Sequence, residues 1–154
     1  MRKFETMRRV HHSAKDMFEL VGDVERYPEF VPLCSGLSVR ERKEVDGDTV
    51  LICDMTAAYK TFSDTFACKV TLKDDRSAIL VKYLDGPFRS LDNIWRFEPV
   101  DDGICNVHFF IKYAFRSRVL QLVAGAVFDR AFEKFAEAFE ARADRVYGTG
   151  RRSA

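Results

Sequence analysis

No apolar run in this 154-residue chain approaches the roughly 20 residues that cross a bilayer, so a membrane span is not expected. The N-terminal MRKFETMRRVHH is charged and carries no apolar stretch, so a secretory signal is not expected either. An excess of one charge is also missing. Lys plus Arg number 25 against 24 Asp plus Glu, a net charge of +1. A dedicated nucleic-acid binder carries a basic surplus, so DNA is not an expected partner, though a local basic patch remains open. Paired cysteines are lacking. Cys34, Cys53, Cys68 and Cys105 form no CxxC and sit beside no tight Cys/His pair, which argues against a zinc site and a disulfide framework. Reduced, buried thiols in a cytoplasmic protein are the expectation. The chain contains no G-x-S-x-G, P-loop or GxGxxG, so no catalytic signature is present. Metal ligation is not expected, because adjacent His11 and His12 would face opposite ways on a strand and His108 falls on an outward position.

What is present is phenylalanine. The chain has 14 Phe against 5 Tyr and 1 Trp. Phe brings large apolar area without a polar group to satisfy. A closed aromatic core and a core opened around an apolar ligand both fit this composition. There is no internal repeat, low-complexity segment or interdomain linker, and the length suits one core. A single domain over 1–148 with a flexible tail over 149–154 is expected.

Along the chain, residues 3 to 10 form a first strand with weak alternation. Ser13-Ala14-Lys15-Asp16 resembles a capping box, opening a short helix whose apolar face is Met17, Phe18, Leu20 and Val21 and which Gly22-Asp23 ends. A second short turn or helix follows near Glu25-Arg26-Tyr27. YPEFVPLCSG, residues 27 to 36, holds two prolines and is neither regular helix nor central strand. From 37 to 113 the pattern becomes strand-like, with turns at Asp46-Gly47-Asp48, Asp74 to Ser77, Asp85-Gly86-Pro87 and Asp101-Asp102-Gly103. Six strands joined by tight turns make an antiparallel meander. After Ser117 the period changes. Phe128, Phe132, Phe135, Phe139, Ala143 and Val146 line one stripe of a long amphipathic helix of roughly 30 residues, about 45 Å, with Gly125 a candidate kink. Such a helix needs a broad surface beneath it, and the curved sheet is the only candidate.

This order of elements resembles the START-like, helix-grip superfamily, and more narrowly its coenzyme Q-binding branch, which also includes ribosome-association toxins. Three motifs carry the resemblance: Tyr27-Pro28-Glu29-Phe30-Val31-Pro32-Leu33-Cys34; Asp85-Gly86-Pro87-Phe88 followed by Leu91, Trp95 and Phe97; and Phe139, Arg142 and Ala143 near the end of the last helix. The implied fold is α+β, with a curved antiparallel sheet wrapped around a long C-terminal helix and two short helices after the first strand. The implied activity is non-enzymatic: a binding protein or chaperone for a prenylated quinone, ubiquinone, that serves respiratory electron transport and touches the inner face of the membrane transiently. The same resemblance implies an alternative, a ribosome-associated regulator or toxin that blocks subunit association. A second alternative is a cyclase-like enzyme, for which Asp54, Asp64 and Asn93 are the residues to examine.

Under the quinone reading no other cofactor is implied. Residues 27 to 34 are either a loop capping the barrel end or a gate, with Phe30, Val31 and Leu33 admitting the tail. Phe88 would line the cavity mouth. Leu91 and Trp95 point inward, and Leu120, Val123, Val127 and Phe128 would form the wall near the helix start. The clusters Arg8-Arg9, Arg40 with Arg42-Lys43, Arg116 with Arg118, and Arg151-Arg152 are either a solvated face or a contact for anionic lipid or ribosomal RNA.

Overall fold

The computed structural model describes residues 2–60 and 62–148. The sequence-predicted tail over 149–154, with Arg151 and Arg152, lies outside the described residues. The chain runs β1 (Arg2–Val10), α1 (Ala14–Gly22), a 3₁₀ helix (Val24–Glu29), β2 (Cys34–Val45), β3 (Asp48–Tyr59), β4 (Phe62–Leu72), β5 (Ala78–Asp85), β6 (Phe88–Asp101), β7 (Ile104–Phe115), α2 (Arg118–Glu133) and α3 (Phe135–Tyr147). The strands form one antiparallel sheet in the order β1-β7-β6-β5-β4-β3-β2. The six-strand meander is present, and β1 returns to pair with β7. Both edge strands, β1 and β2, carry runs of charged residues, which protects open edges from pairing with other chains.

Local chemistry accounts for most of the punctuation. Ser13 Oγ accepts from the Asp16 backbone N–H at 3.0 Å and caps α1. The β2–β3 hairpin turns through Asp46 (φ 52°) and Gly47 (φ 91°), the left-handed pair that a two-residue hairpin requires. At Gly86 φ is 141°, and a Cβ there would stand 2.5 Å from Phe66 Cβ. Only glycine lets the Asp85-Gly86-Pro87 turn lie against β4 so closely.

Curvature comes from register shifts in the ladder. Extra residues interrupt pairing at Cys34/Gly36 and Val39/Glu41 in β2, at Leu84 of β5 opposite Ala67/Cys68, and at Phe88/Ser90 and Pro99/Asp101 in β6. Each bulge bends its strand and increases the local twist. On the inner face, β7 buries Cys105, Val107, Phe109, Ile111, Tyr113 and Phe115 in strict alternation. β6 buries Leu91, Asn93, Trp95 and Phe97 the same way.

The helical stripe packs on this face, but not as one unbroken helix. The chain breaks at Lys134 (φ −100°, ψ −3°), between α2 and α3. Gly125, the candidate kink, sits buried inside α2. The break falls where the stripe steps from Phe132 to Phe135, and both rings stay on the sheet with centroids 5.1 Å apart. Phe132 meets Tyr113 at 5.1 Å and Phe139 meets Trp95 at 4.8 Å. Polar ties then fasten the first strand to the helices. Arg2 pairs with Asp129, Arg8 with Glu140, and His12 Nε2 lies 2.7 Å from Asp144 Oδ1. His11 and His12 lie not on a strand but in the bend after β1, where His12 is buried and His11 exposed.

Candidate functional site

The inner faces of β2 to β7 and the α2–α3 junction line a cavity of about 90 Å³. Its floor is Leu91, Asn93 and Trp95 of β6 with Ile111 of β7. Its roof is Phe132, Phe135 and Phe139 from the helices, and Val24 and Tyr27 of the 3₁₀ helix close one side. Leu37, Cys53, Met55, Phe66, Cys68, Val70 and Val81 complete the wall. The lining follows from strand alternation: residues two apart on neighbouring strands bring their side chains to one face. An engineered protein cavity of roughly 150 Å³ accepts benzene. The space here is smaller, so in this conformation it does not hold a prenyl chain.

The chemistry of the wall is nearly uniform. Tyr27 donates through its hydroxyl to the Val21 carbonyl oxygen, 2.5 Å away. Burial pushes its pKa well up from the ordinary tyrosine value. Burial also raises the thiol of Cys53 to about 11 and that of Cys68 to about 12, so both stay protonated at neutral pH. Cys53 and Cys68 face each other directly across the β3–β4 ladder. All four cysteines are buried free thiols. Among the described residues no three His, Cys, Asp or Glu side chains gather in a way that could hold a metal ion. Besides the Tyr27 hydroxyl, Asn93 contributes a strong neutral polar group. Its Nδ2 donates to the Phe110 carbonyl oxygen at 2.8 Å.

The sequence-predicted residues divide between several places. Leu91 and Trp95 line this cavity. Phe88 does not stand at its mouth; it is 1% exposed. Rings of Phe66, Tyr83, Phe115 and Phe128 surround it, the nearest, Phe115, at 4.9 Å. The Gly86-Pro87 turn presses Phe88 inward, which makes it core. Phe30 is half-buried, edge-on to Phe139 at 5.0 Å, with the Arg142 guanidinium 4.9 Å above its ring. Arg142 also pairs with Glu29 and holds that carboxyl below its ordinary value. Val31 is buried, and Leu33 is half-buried with φ 69°. That strained backbone is held by the Ala58 N–H, which donates to the Leu33 carbonyl oxygen at 2.9 Å. Phe30, Val31 and Leu33 therefore close one end of the core next to the cavity without lining it, while Tyr27 at the start of the segment does line it.

Val123, Val127 and Phe128 line a second hollow of about 150 Å³ beside Tyr59, Lys60 and Phe62. Leu120 packs half-buried on the core nearby. Around this hollow the start of α2 exposes Val119 (68%), Leu122 (85%) and Val123 (65%). Arg118 is exposed in the same turn, and Arg116 precedes it. The other basic clusters are partly neutralised. Arg8 pairs with Glu140 and Arg40 pairs with Asp54, while Arg9 donates to the neutral Asn106 side chain. Of the polar strand residues, Asp54 and Asp64 face outward and only Asn93 reaches the cavity.

Sequence reasoning missed Tyr27, Phe132, Phe135 and Phe139 as cavity lining. The three phenylalanines were visible as a stripe. Their place over a gap depends on the break at Lys134.

A model of the family described as polyketide cyclase / dehydrase and lipid transport matches residues 10–140. The Vibrio cholerae protein named ribosome association toxin RatA is 36% identical over 139 residues, covering 90% of this chain and 93% of that protein. The Xenopus laevis protein named coenzyme Q-binding protein COQ10 homolog B, mitochondrial, is 25% identical over 139 residues, covering 88% of this chain and 55% of its own length. Among solved structures, the Zhui aromatase/cyclase from Streptomyces sp. R1128 superposes with a TM-score of 0.77. That match covers 94% of both chains at 18% identity, a likeness of fold.

Proposed function

From membership of the polyketide cyclase/dehydrase and lipid transport family, to which this chain belongs, we propose that the protein is a non-enzymatic, cytoplasmic regulator that associates with the ribosome. The observation that carries this reading is the 36% identity to ribosome association toxin RatA along nearly the full length of both chains. Two features support it. In this conformation the cavity, about 90 Å³, is too small for a lipid tail. Its titratable groups, Tyr27, Cys53 and Cys68, are raised by burial and held neutral, which suits packing better than acid–base chemistry. The surface assigned to the contact is the start of α2, where exposed Val119, Leu122 and Val123 adjoin Arg116 and Arg118. The test is co-sedimentation with ribosomal subunits across a salt series. Binding that falls steeply with salt and is lost in Arg118→Glu supports the reading. Absence of binding at low salt, from folded protein, sinks it.

A second reading is favoured by one specific observation, the almost wholly apolar wall of the cavity. Under it the domain, 1–148 with its short tail, carries a prenylated quinone such as ubiquinone between membrane surfaces. Phe30, Val31 and Leu33 would open as a gate, and the cavity would extend past Leu91 and Trp95 toward Phe88, Leu120, Val123, Val127 and Phe128. The similarity to a protein named as coenzyme Q-binding is in line with it. Lipid mass spectrometry of gently purified protein tests it. A near-stoichiometric quinone, lost in Phe30→Ala or Leu33→Ala, is the expected result. An empty extract from protein that also takes up no added quinone overturns it.

A further inference from the structure

We infer that Asn93 is the specificity-determining residue of the cavity, selecting a compact apolar ligand or end group that carries a hydroxyl donor, of the phenol or hydroquinone type. The inference deepens the apolar-ligand reading and rests on it. It does not depend on ribosome association.

The starting point is an exception to a pattern. The inner face of β6 reads Leu91, Asn93, Trp95, Phe97: one carboxamide among large apolar side chains. Asn93 is 9% exposed and is paired with Val81 on one side and Ile111 on the other. A carboxamide in such a place costs free energy unless its ends find partners. One end is settled. Nδ2 donates to the Phe110 carbonyl oxygen, and because a carbonyl only accepts, the bond also fixes which end of the amide is which. The oxygen accepts no hydrogen bond from the described residues. It is not sealed in, however, since no fully buried side-chain nitrogen or oxygen among them is left without a partner. It therefore borders open space, and the space that Asn93 lines is the cavity.

The remaining polar groups of the wall do not compete for this role. The Tyr27 hydroxyl proton is already given to Val21. Cys53 and Cys68 are protonated thiols, which hydrogen-bond weakly. The strongest unclaimed group is thus an acceptor on the floor of an apolar chamber. Its complement is a donor on an apolar body. A hydroxyl on a small ring meets that description, whereas a ring bearing only acceptors leaves the Asn93 oxygen unsatisfied. A small ring needs more room than the 90 Å³ present, so its entry requires the wall to give: half-buried Met55 and Phe135 border the space, and a Met side chain adapts its shape readily.

The same chemistry comes from two sources, a free phenol or the reduced head of a prenylated quinone. The experiment is a ligand titration on the full chain, followed by NMR shifts of the Met55 methyl group and the Trp95 indole. The first probes are p-cresol, toluene and 4-methylanisole. p-Cresol is expected to bind about five- to tenfold tighter than the other two, the ratio that one net hydrogen bond supplies. In Asn93→Leu that ratio is expected to fall to about one. Equal binding of all three to the unaltered protein overturns the role of Asn93 while leaving the ligand site standing. No binding of any probe overturns the apolar-ligand reading itself. The unaltered protein decides the matter even if Asn93→Leu fails to fold. A second arm compares a short-chain ubiquinol with its ubiquinone. Tighter binding of the quinol than of p-cresol marks the prenylated source, and the reverse marks a free phenol. Preference for the quinone over the quinol would show that the second amide hydrogen of Asn93, not its oxygen, meets the ligand, and overturns the inference.

Discussion

The two ends of the helical strap look alike in sequence and behave oppositely in the structure. Near the C-terminus, α3 buries Ala136, Phe139 and Ala143 completely against the sheet and the 3₁₀ helix. Phe139 alone touches the rings of Tyr27, Phe30, Trp95 and Phe135. At the other end, the first turns of α2 hold Val119, Leu122 and Val123 out in solvent beside Arg116 and Arg118. Both segments are rich in apolar residues. What differs is the surface below them. α3 seats Phe139 on Trp95 of β6, while the start of α2 stands beside the β3–β4 turn and leaves a hollow there. Apolar side chains exposed there add nothing to this fold's core. They are available for a partner, whereas those on α3 are committed to stability.

That contrast can be broken most sharply at Phe139. Phe139→Ala is expected to cost about 3–5 kcal/mol, the usual range for a fully buried Phe, measured by urea denaturation. A loss below about 1 kcal/mol would mean that α3 is not the anchor. The next effect is expected at the middle of the strap. The Tyr113 hydroxyl donates to Asp129 at 2.5 Å, and Arg2 pairs with the same carboxylate. Asp129→Ala leaves the buried hydroxyl unsatisfied and is expected to cost about 1–3 kcal/mol. The hydrogen bond from Arg2 holds the Asp129 carboxyl below its ordinary value. Its contribution is therefore complete above the unfolded-state carboxylate pKa and is lost as pH falls through the lowered folded-state value. Acid titrations of stability should show this loss in the unaltered protein and a flatter acid limb in Asp129→Ala.

Ser117 gives a smaller effect. Its Oγ accepts from the N–H groups of Val119 and Leu120 at 3.1 and 3.3 Å. Ser117→Ala is expected to cost about 1 kcal/mol and to raise amide exchange only in the first turn of α2. The smallest change in stability is expected at the exposed end. Leu122→Glu should stay within about 0.5 kcal/mol of the unaltered protein while abolishing the proposed ribosome association. If Leu122→Glu instead unfolds the domain, the exposed end is part of the core after all and the contrast fails.

Much of the fold was legible because its signals are local. Asp-Gly turns, the Ser13 cap and period-two alternation in β6 and β7 each depend on neighbours a few residues away. The change of period after Ser117 announced the helical strap. Site residues were harder. Leu91 and Trp95 were placed inward by alternation and do line the cavity. Phe88 resembled a mouth residue because it follows a turn. The close approach of Gly86 to Phe66, which drives Phe88 into the core, is a contact between distant strands. The Phe132–Phe139 stretch read only as part of one apolar stripe, because nothing in a helical stripe tells where the surface beneath it will sag.

The sequence by itself determined the order of elements, the antiparallel meander, the absence of a bilayer-length apolar run and the apolar faces. Those properties follow from the chemistry and spacing of residues close in the chain. Only the tertiary structure decided the size of the cavity, the break of the strap at Lys134 and the solitary amide of Asn93 facing open space. It also decided which apolar residues of α2 stay in solvent. Each of these is a volume or a distance between segments far apart in sequence, set by how bulged strands bend and how far the helices can follow them. No local pattern encodes such a gap.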